Sequence, residues 1–475
     1  MGTFGNSVGT TIAIVGLVQM VLVSVIAIRL LSYWKSFVFG WHRYRTRSVH
    51  SDAQILASDP PHLKIQITTR GSEGSSEVIL RGINGVLRLV EQSPAFAPLL
   101  SIEVVTESSE QVEMIESRFA RAPIRVTGLV VPADYRTAAG TGLKARGLHY
   151  AVESRRAGWN FVPGRVFIVH FDEESVMMPG ELRKLIKVLA DTDKRILEGP
   201  IYYPLEYQNS SMVCKSMEAN RPAGCFECRV VMEKGVPLHL HGSNLVVEER
   251  LENEIGWDIG QLDGHYFIAE DFVFGMNNYL RYGSEIFGWH GCVLLEQPPF
   301  SFKSAFRQRH RWIFGVLQGL SAAANSADFR TLPWLTRQRF MWGTRLRALT
   351  FALGALVGSL SVVVLPIMLG IAIYSLVSGE PAPFGPILTL WMTIVGALWL
   401  GTVMLGAWLN VNDANMTSAR RELEIARTVA IAPIAGVLES SAGLMALVDW
   451  ARGKRGVAWI PTPKTVSADV IATAR

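Results

Sequence analysis

Apolar positions follow two patterns along the chain. Near the two ends they run together. Thr10 to Ile28 is rich in Val, Ile, Leu and Ala without a charge, Ala348 to Gly379 and Pro381 to Asn412 are likewise uncharged, and only Glu380 separates the last two. A helix rises 1.5 Å per residue, so each run is long enough to cross ~30 Å of hydrocarbon. The latter two are expected to be helices joined by a Gly/Pro turn over Ser378 to Pro386. Thr428 to Val448 is a weaker run with Glu439 at its middle. A carboxylate at a span's centre costs about 2.5–3.5 kcal/mol, so an interfacial or re-entrant helix is expected there instead of a fourth span. From Pro61 to Pro299 the pattern shortens. Leu63–Thr69, Ile102–Thr106 and Arg165–His170 read as strands of a buried sheet, and Ser75–Gln92 and Gly140–Arg156 have helical spacing. Strand and helix in alternation predict an α/β fold with a mostly parallel, doubly wound sheet, whose ligands sit at the carboxyl ends of the strands.

Charge orients these segments. Arg29, Lys35, Arg43, Arg45 and Arg47 follow the first run, with no acid before Asp52. The positive-inside rule then puts the N-terminus outside and the next domain in the cytoplasm. A signal peptide is the competing reading, but its apolar core is shorter, ~7–15 residues, and a small-residue cleavage site should follow it. Here Tyr33, Trp34 and Lys35 follow, an interfacial anchor. Ser301 to Arg347 mixes Trp312, Phe314, Trp334, Phe340 and Trp342 with many arginines, as amphipathic helices at a membrane surface do. The expected organisation is an anchor with its basic flank (1–50), a cytosolic domain (51–300), interfacial helices (301–347), two spans (348–412), and an interfacial or re-entrant helix with a cytosolic tail (413–475).

Composition narrows the function classes. With 49% hydrophobic and 18% charged residues, the chain is too apolar for a disordered protein. At 475 residues it exceeds one compact soluble core. A net charge of +5 is small for a nucleic-acid binder, and four cysteines cannot frame a secreted disulfide domain. Cys225 and Cys228, with Cys214 and Cys292, lack the second well-spaced pair of a zinc site and read as reduced, buried thiols. Asn209-Ser210-Ser211 is a glycosylation sequon that a cytosolic domain would leave unmodified.

Three segments carry candidate chemistry. Asp172, Glu173 and Glu174 follow an apolar strand, where Asp172 and Glu174 can converge on a hard cation, Mg²⁺ or Mn²⁺. Acids also favour helix starts, which is the plainer reading. Glu270-Asp271 lies inside an apolar run, costly unless partnered or facing a pocket, and a carboxylate there can take a proton from a hydroxyl. Asp271 as a helix N-cap is compatible with that role. Phe306 to Trp312, FRQRHRW, suits arginines on a diphosphate and a Trp on a sugar, or equally a basic helix on anionic lipid.

In this order, Asp172-Glu173-Glu174, Glu270-Asp271 and Gln308…Arg311-Trp312 resemble the aspartate motif, ED pair and Q-x-x-R-W motif of membrane-bound glycosyltransferase family 2. The similarity runs from about residue 63 to 319. Through ITTRG, VVPADYRTAAGTGLKARGLHYAVE, HGSNLVV and EQPPFSFKSAFRQRHRW it looks closest to the Egghead-type β-1,4-mannosyltransferases. The resemblance implies a GT-A fold and an inverting transfer from a nucleotide sugar, mannose from GDP-mannose, to a lipid or glycolipid acceptor. By residue, it implies Asp172 and Glu174 as metal ligands, Asp271 as the base supported by Glu270, and Thr69, Arg70, Glu107, Lys144, Arg146, Asp172, Gln308 and Arg311 at the donor. It also implies Trp312, His241, Gly242 and Ser243 at the acceptor. The first strand ends Thr68-Thr69-Arg70-Gly71, where many family members have an acid that reads the nucleotide base. Trp459 to Lys464, WIPTPK, is similar to the gating-loop motif of processive members, so a polysaccharide synthase that exports its chain is the competing function.

Overall fold

The computed structural model describes residues 21–32, 34–38, 50–71, 74–234, 240–379 and 386–466. Most of the expected first span (10–20), the basic residues Arg43, Arg45 and Arg47, and Glu380 with most of its turn lie outside them. Seven strands form one sheet: β1 (His62–Thr68), β2 (Leu100–Thr106), β3 (Arg125–Val130), β4 (Val166–Asp172), β5 (Ile196–Glu198), β6 (Leu245–Glu248) and β7 (Phe287–Trp289). Their order is β7-β5-β6-β4-β1-β2-β3. Only β6 runs antiparallel to its neighbours β4 and β5, so the sheet is mostly parallel, as the alternation predicted. Helices cover both faces, which is why β2 is buried at every position.

Register levels the strand ends. Thr68 of β1 lies opposite Val105 of β2 and Asp172 of β4. The chain leaves β1 for β2 and β3, then returns to β1's other side as β4. This reversal opens a crevice beyond the carboxyl ends of β1 and β4. The helix Ser75–Gln92 has its expected bounds. The next, α1 (Leu143–Arg156), starts later than expected because Gly140 and Leu143 take left-handed φ values of 75° and 58° in the turn before it. Strain of this kind in a branched residue collects at functional sites, and Leu143 faces the crevice.

The remaining helices are α2 (Met212–Lys234), α3 (Glu270–Tyr282), α4 (Phe302–Asn325), α5 (Trp334–Ser378), α6 (Pro386–Asn412) and α7 (Ser418–Ala451). Among the described residues, four helices are long and apolar enough to cross a membrane: Val21–Val38, α5, the Thr389–Asn412 part of α6, and α7. Over 428–448, where an interfacial or re-entrant helix is expected, α7 runs as one unbroken helix of 34 residues. The cost assigned to Glu439 is offset, because its carboxylate meets Arg309 of α4 at 3.3 Å, and Arg309 also pairs with Glu218 of α2 at 2.7 Å. For the same reason one face of α4 packs inward: Arg309, Ile313 and Phe314 are buried. The exposed Trp334, Leu335 and Trp342 instead begin α5.

Small residues let these helices approach closely. A Cβ on Gly406 of α6 would sit 1.7 Å from the Ala219 carbonyl oxygen of α2, and one on Gly436 of α7 would sit 2.1 Å from Ser359 Oγ of α5. Backbone cannot yield as a side chain can, so overpacking at Gly406 is expected to cost about 1–3 kcal/mol. Gly406→Ala should therefore lower the thermal unfolding midpoint of the detergent-purified protein. Gly370→Ala, with open space around it, should leave the midpoint unchanged or raise it.

Candidate active site

A cleft of about 250 Å³ opens at the carboxyl ends of β1, β2 and β4. Of the residues singled out from sequence, all line it except Arg146. Strand register brings Thr69, Glu107 and Asp172 to one rim. Thr69 Oγ1 donates to Glu173 Oε2 at 2.7 Å, and Glu107 pairs with Arg146 at 2.5 Å, so Arg146 acts on the rim through Glu107. Lys144, in the first turn of α1, is ion-paired with Asp172, and its Nζ donates to the Gly242 carbonyl at 3.0 Å. Burial works to raise the Asp172 carboxyl, but the Lys144 ammonium, with Lys464 and Arg311 beyond it, holds it below the usual carboxylate range. Lys144 is raised in turn: burial opposes this, and Asp172 and Glu270 outweigh burial.

The facing wall is the N-terminus of α3. Its N-cap is Ala269, which offers no side chain, and Glu270 and Asp271 occupy the first turn, so Asp271 is not the cap. Acids there gain from the unpaired N–H groups and the helix dipole. Asp271 Oδ1 accepts the Phe272 N–H at 2.8 Å. Burial, then the neighbouring Glu270 carboxylate, pushes Asp271 up to about 7, so it exchanges a proton near neutral pH. The loop before β6 approaches it closely: a Cβ on Gly242 would lie 3.4 Å from both Asp271 Oδ2 and Lys144 Nζ. Of the three residues of this loop expected beside the acceptor, Gly242 is the one against Asp271. Ser243 Oγ donates to Glu296, and His241 is turned towards Glu198 and Cys228.

The third wall comes from α4 and the C-terminal tail. Arg311 Nη1 donates to the Ile460 carbonyl at 3.3 Å, and the Trp459 ring lies 4.1 Å from the Arg70 guanidinium and 5.5 Å from that of Arg311. Lys464 of the tail is ion-paired with Glu174. Asp172 and Glu174 thus each face an ammonium inside the cleft. These hard oxygen donors, already matched by positive charge, fit a divalent cation such as Mg²⁺ or Mn²⁺. Trp312 carries the Arg221 guanidinium 4.1 Å over its ring.

Arg221, His241 and Trp312 also line a second cavity, of about 160 Å³, among the helix Val21–Val38, α2, α4, α5, α6 and α7. The cleft therefore adjoins a chamber in the helical bundle. Sequence reasoning missed Arg221, which lies outside every motif that carries the resemblance. It also missed Glu296, which burial, then Asp172, pushes up to about 7. Glu296 sits in the EQPPF stretch carrying the resemblance, and a carboxylate directly after the buried Leu294 and Leu295 was the available signal. All four cysteines are buried and none is in a disulfide, as expected.

A sequence model of glycosyl transferase family group 2 matches residues 167–407, just over half of the chain. The chain is 26% identical over 270 residues to the β-1,4-mannosyltransferase egh of Drosophila melanogaster, covering 55% of this chain and 54% of that one. It is 25% identical over 226 residues to the β-1,4-mannosyltransferase bre-3 of Caenorhabditis elegans, covering 46% and 47%. The chain spans about half the length of the relatives it matches. Among solved structures it is similar to the mannosyltransferase PcManGT from Pyrobaculum calidifontis in complex with GDP-Man and Mn²⁺, at 16% identity and a TM-score of 0.39, over 82% of this chain and 99% of that one.

The electrostatics of the α3 terminus are open to direct titration. The Asp271 carboxyl should be protonated below about pH 7 and ionised above it. Because Glu270's charge opposes that ionisation, Glu270→Gln should move the midpoint to lower pH, as read by infrared difference spectroscopy of the carboxyl band with Asp271→Asn as the blank.

Proposed function

Because the chain belongs to glycosyl transferase family group 2, we propose that it is an inverting mannosyltransferase that moves mannose from GDP-mannose to a lipid or glycolipid acceptor at the cytoplasmic membrane face. One observation carries this reading: Asp271, a carboxylate near neutrality, lines the same cleft as the half-buried cluster of Asp172, Lys144 and Arg311. That is the arrangement a single displacement needs. Mannose follows from the relatives, which are β-1,4-mannosyltransferases.

The donor's diphosphate lies along Lys144, Arg311 and Gln308, with its nucleoside towards Thr69, Arg70 and Glu107. Asp172 and Glu174 would hold Mg²⁺ or Mn²⁺, which when bound neutralises charge on the leaving diphosphate. Arg311 and Lys144 are fixed cations at the same place and need no reorganisation as charge develops. The acceptor hydroxyl attacks the anomeric carbon from the face opposite the diphosphate, and its proton passes to Asp271. One base and one displacement invert the configuration. Glu270 keeps Asp271 basic, and Gly242 leaves room beside it.

The acceptor enters past Trp312 and Arg221 from the chamber in the helical bundle. An aromatic face suits a sugar, and the apolar wall of Ile26, Leu30 and Phe351 suits its lipid. That chamber also serves the second reading, a processive synthase that threads its product between the helices. Product length separates the two. Purified protein with Mn²⁺, supplied in turn with GDP-mannose, UDP-glucose, UDP-galactose and UDP-N-acetylglucosamine and a glycolipid extract, should release nucleotide from GDP-mannose alone. The lipid should gain one hexose by mass spectrometry. Release from a UDP-sugar would overturn the donor assignment, and a ladder of long polymer would overturn single transfer.

A further inference from the structure

Three ligand-type side chains meet in the wall between the cleft and the membrane chamber. Glu198 ends β5, Cys228 lies on α2, and His241 lies in the loop before β6. One ligand atom from each lies within 4.8 Å of the other two, all three are buried, and they are the only such group among the described residues. His241 Nε2 is 3.7 Å from Cys228 Sγ. Zinc–sulfur and zinc–nitrogen bonds of about 2.3 and 2.0–2.1 Å at a tetrahedral angle hold their ligands ~3.6 Å apart. The other ring nitrogen, Nδ1, lies 3.3 Å from Glu198 Oε1, which leaves Nε2 facing the sulfur. Glu198 Oε1 also accepts the His241 backbone N–H.

The second oxygen, Glu198 Oε2, is buried with no hydrogen-bond partner, on a side chain with 0% exposure. An acceptor held out of water in this way is costly unless something else answers it. We propose that Glu198, Cys228 and His241 bind one divalent cation of borderline softness, Zn²⁺ by the chemistry of the ligands, separate from the carboxylates at the donor. Oxygen-seeking Mg²⁺ and Mn²⁺ are disfavoured by a thiolate and an imidazole, whereas zinc takes this N, O, S set. A carboxylate and a thiolate together balance the two positive charges. Burial pushes the Cys228 thiol well up, and the Arg347 guanidinium, 3.6 Å from the sulfur, opposes this only in part. The thiolate would form with the cation, which deprotonates a coordinating thiol. Arg347 itself is answered by Glu227 at 3.8 Å. The chamber that Cys228 and His241 line leaves a fourth position for water. Bound there, the cation ties α2 to β5 and to the loop that carries Gly242 past Asp271.

Co²⁺ reports such a site directly, because a thiolate ligand gives it a charge-transfer absorption. The full-length protein in detergent, carrying Asp172→Asn to weaken the cleft carboxylates, is titrated with Co²⁺. The absorption should saturate at one equivalent, be bleached by equimolar Zn²⁺, and persist in excess Mg²⁺. It should vanish in Cys228→Ala and survive in Cys225→Ala, with folding checked by gel filtration. Glu198→Gln should weaken Co²⁺ binding at least tenfold while keeping the thiolate band at saturation, and it decides the matter if Cys228→Ala does not fold. No band in the folded protein, a band that survives Cys228→Ala, or unchanged affinity in Glu198→Gln would overturn the assignment. The readout is absorption and not sugar transfer, so its failure leaves the transferase reading to its own test.

Discussion

Negative charge gathered in one half-buried cleft is the constraint that the rest of this structure answers. Asp172, Glu173, Glu174, Glu270 and Asp271 all line one cleft. Like charges at such range in a low dielectric repel by several kcal/mol unless cations are interposed. The cations come from three separate segments: Lys144 from α1, Arg311 from α4 and Lys464 from the tail. Each segment is thereby drawn to the ends of β1 and β4. Asp271 gets less relief than Asp172: its carboxyl is pushed up to about 7, while that of Asp172 is held below the usual range. Opposed environments of this kind suit two carboxyls to different chemical roles.

The same principle of long-range charge pairing holds α2, α4 and α7 to one another. Arg309 of α4 meets Glu218 of α2 and Glu439 of α7, and Lys215 of α2 meets Glu424 of α7 at 2.9 Å. Buried pairs of this kind add little net stability, but losing one partner is expensive, so they act chiefly to fix which surfaces meet. Arg309 is next to Gln308 and two residues from Arg311, so the helix that presents cations to the cleft is held in rotation by its contacts with the bundle. Close helix crossings at Gly406 and Gly436 complete that frame.

The centre of the fold and the motif residues were legible in sequence, for a physical reason. Strands β1, β2 and β4 are apolar runs, and the polar residues that end them fall into register without further information. Asp172 therefore follows from the strand pattern, Glu270-Asp271 stands out as charge in an apolar setting, and Thr69 and Glu107 come through the family resemblance. What sequence hid is what depends on partners distant along the chain. Glu439 looked too costly for a spanning helix because Arg309, 130 residues away, could not be seen to meet it. Within the sheet, Lys64 of β1 pairs with Glu249 at 2.7 Å, and His170 of β4 meets Glu252 at 2.9 Å, so even the buried strands carry charge that periodicity alone does not explain. The roles of Glu296 and Arg221 likewise exist only once the cleft is formed.

The most direct measurement is made on Asp271→Asn, which keeps the side chain's shape and removes its basicity. Donor binding and sugar transfer are measured on the same purified sample. If Asp271 takes the acceptor's proton, transfer should fall by about 10²–10⁴-fold while the affinity for GDP-mannose stays within a few-fold of the unaltered protein. Transfer at the full rate would contradict the assignment of Asp271 as the base, and loss of donor binding would place that carboxylate with the diphosphate instead.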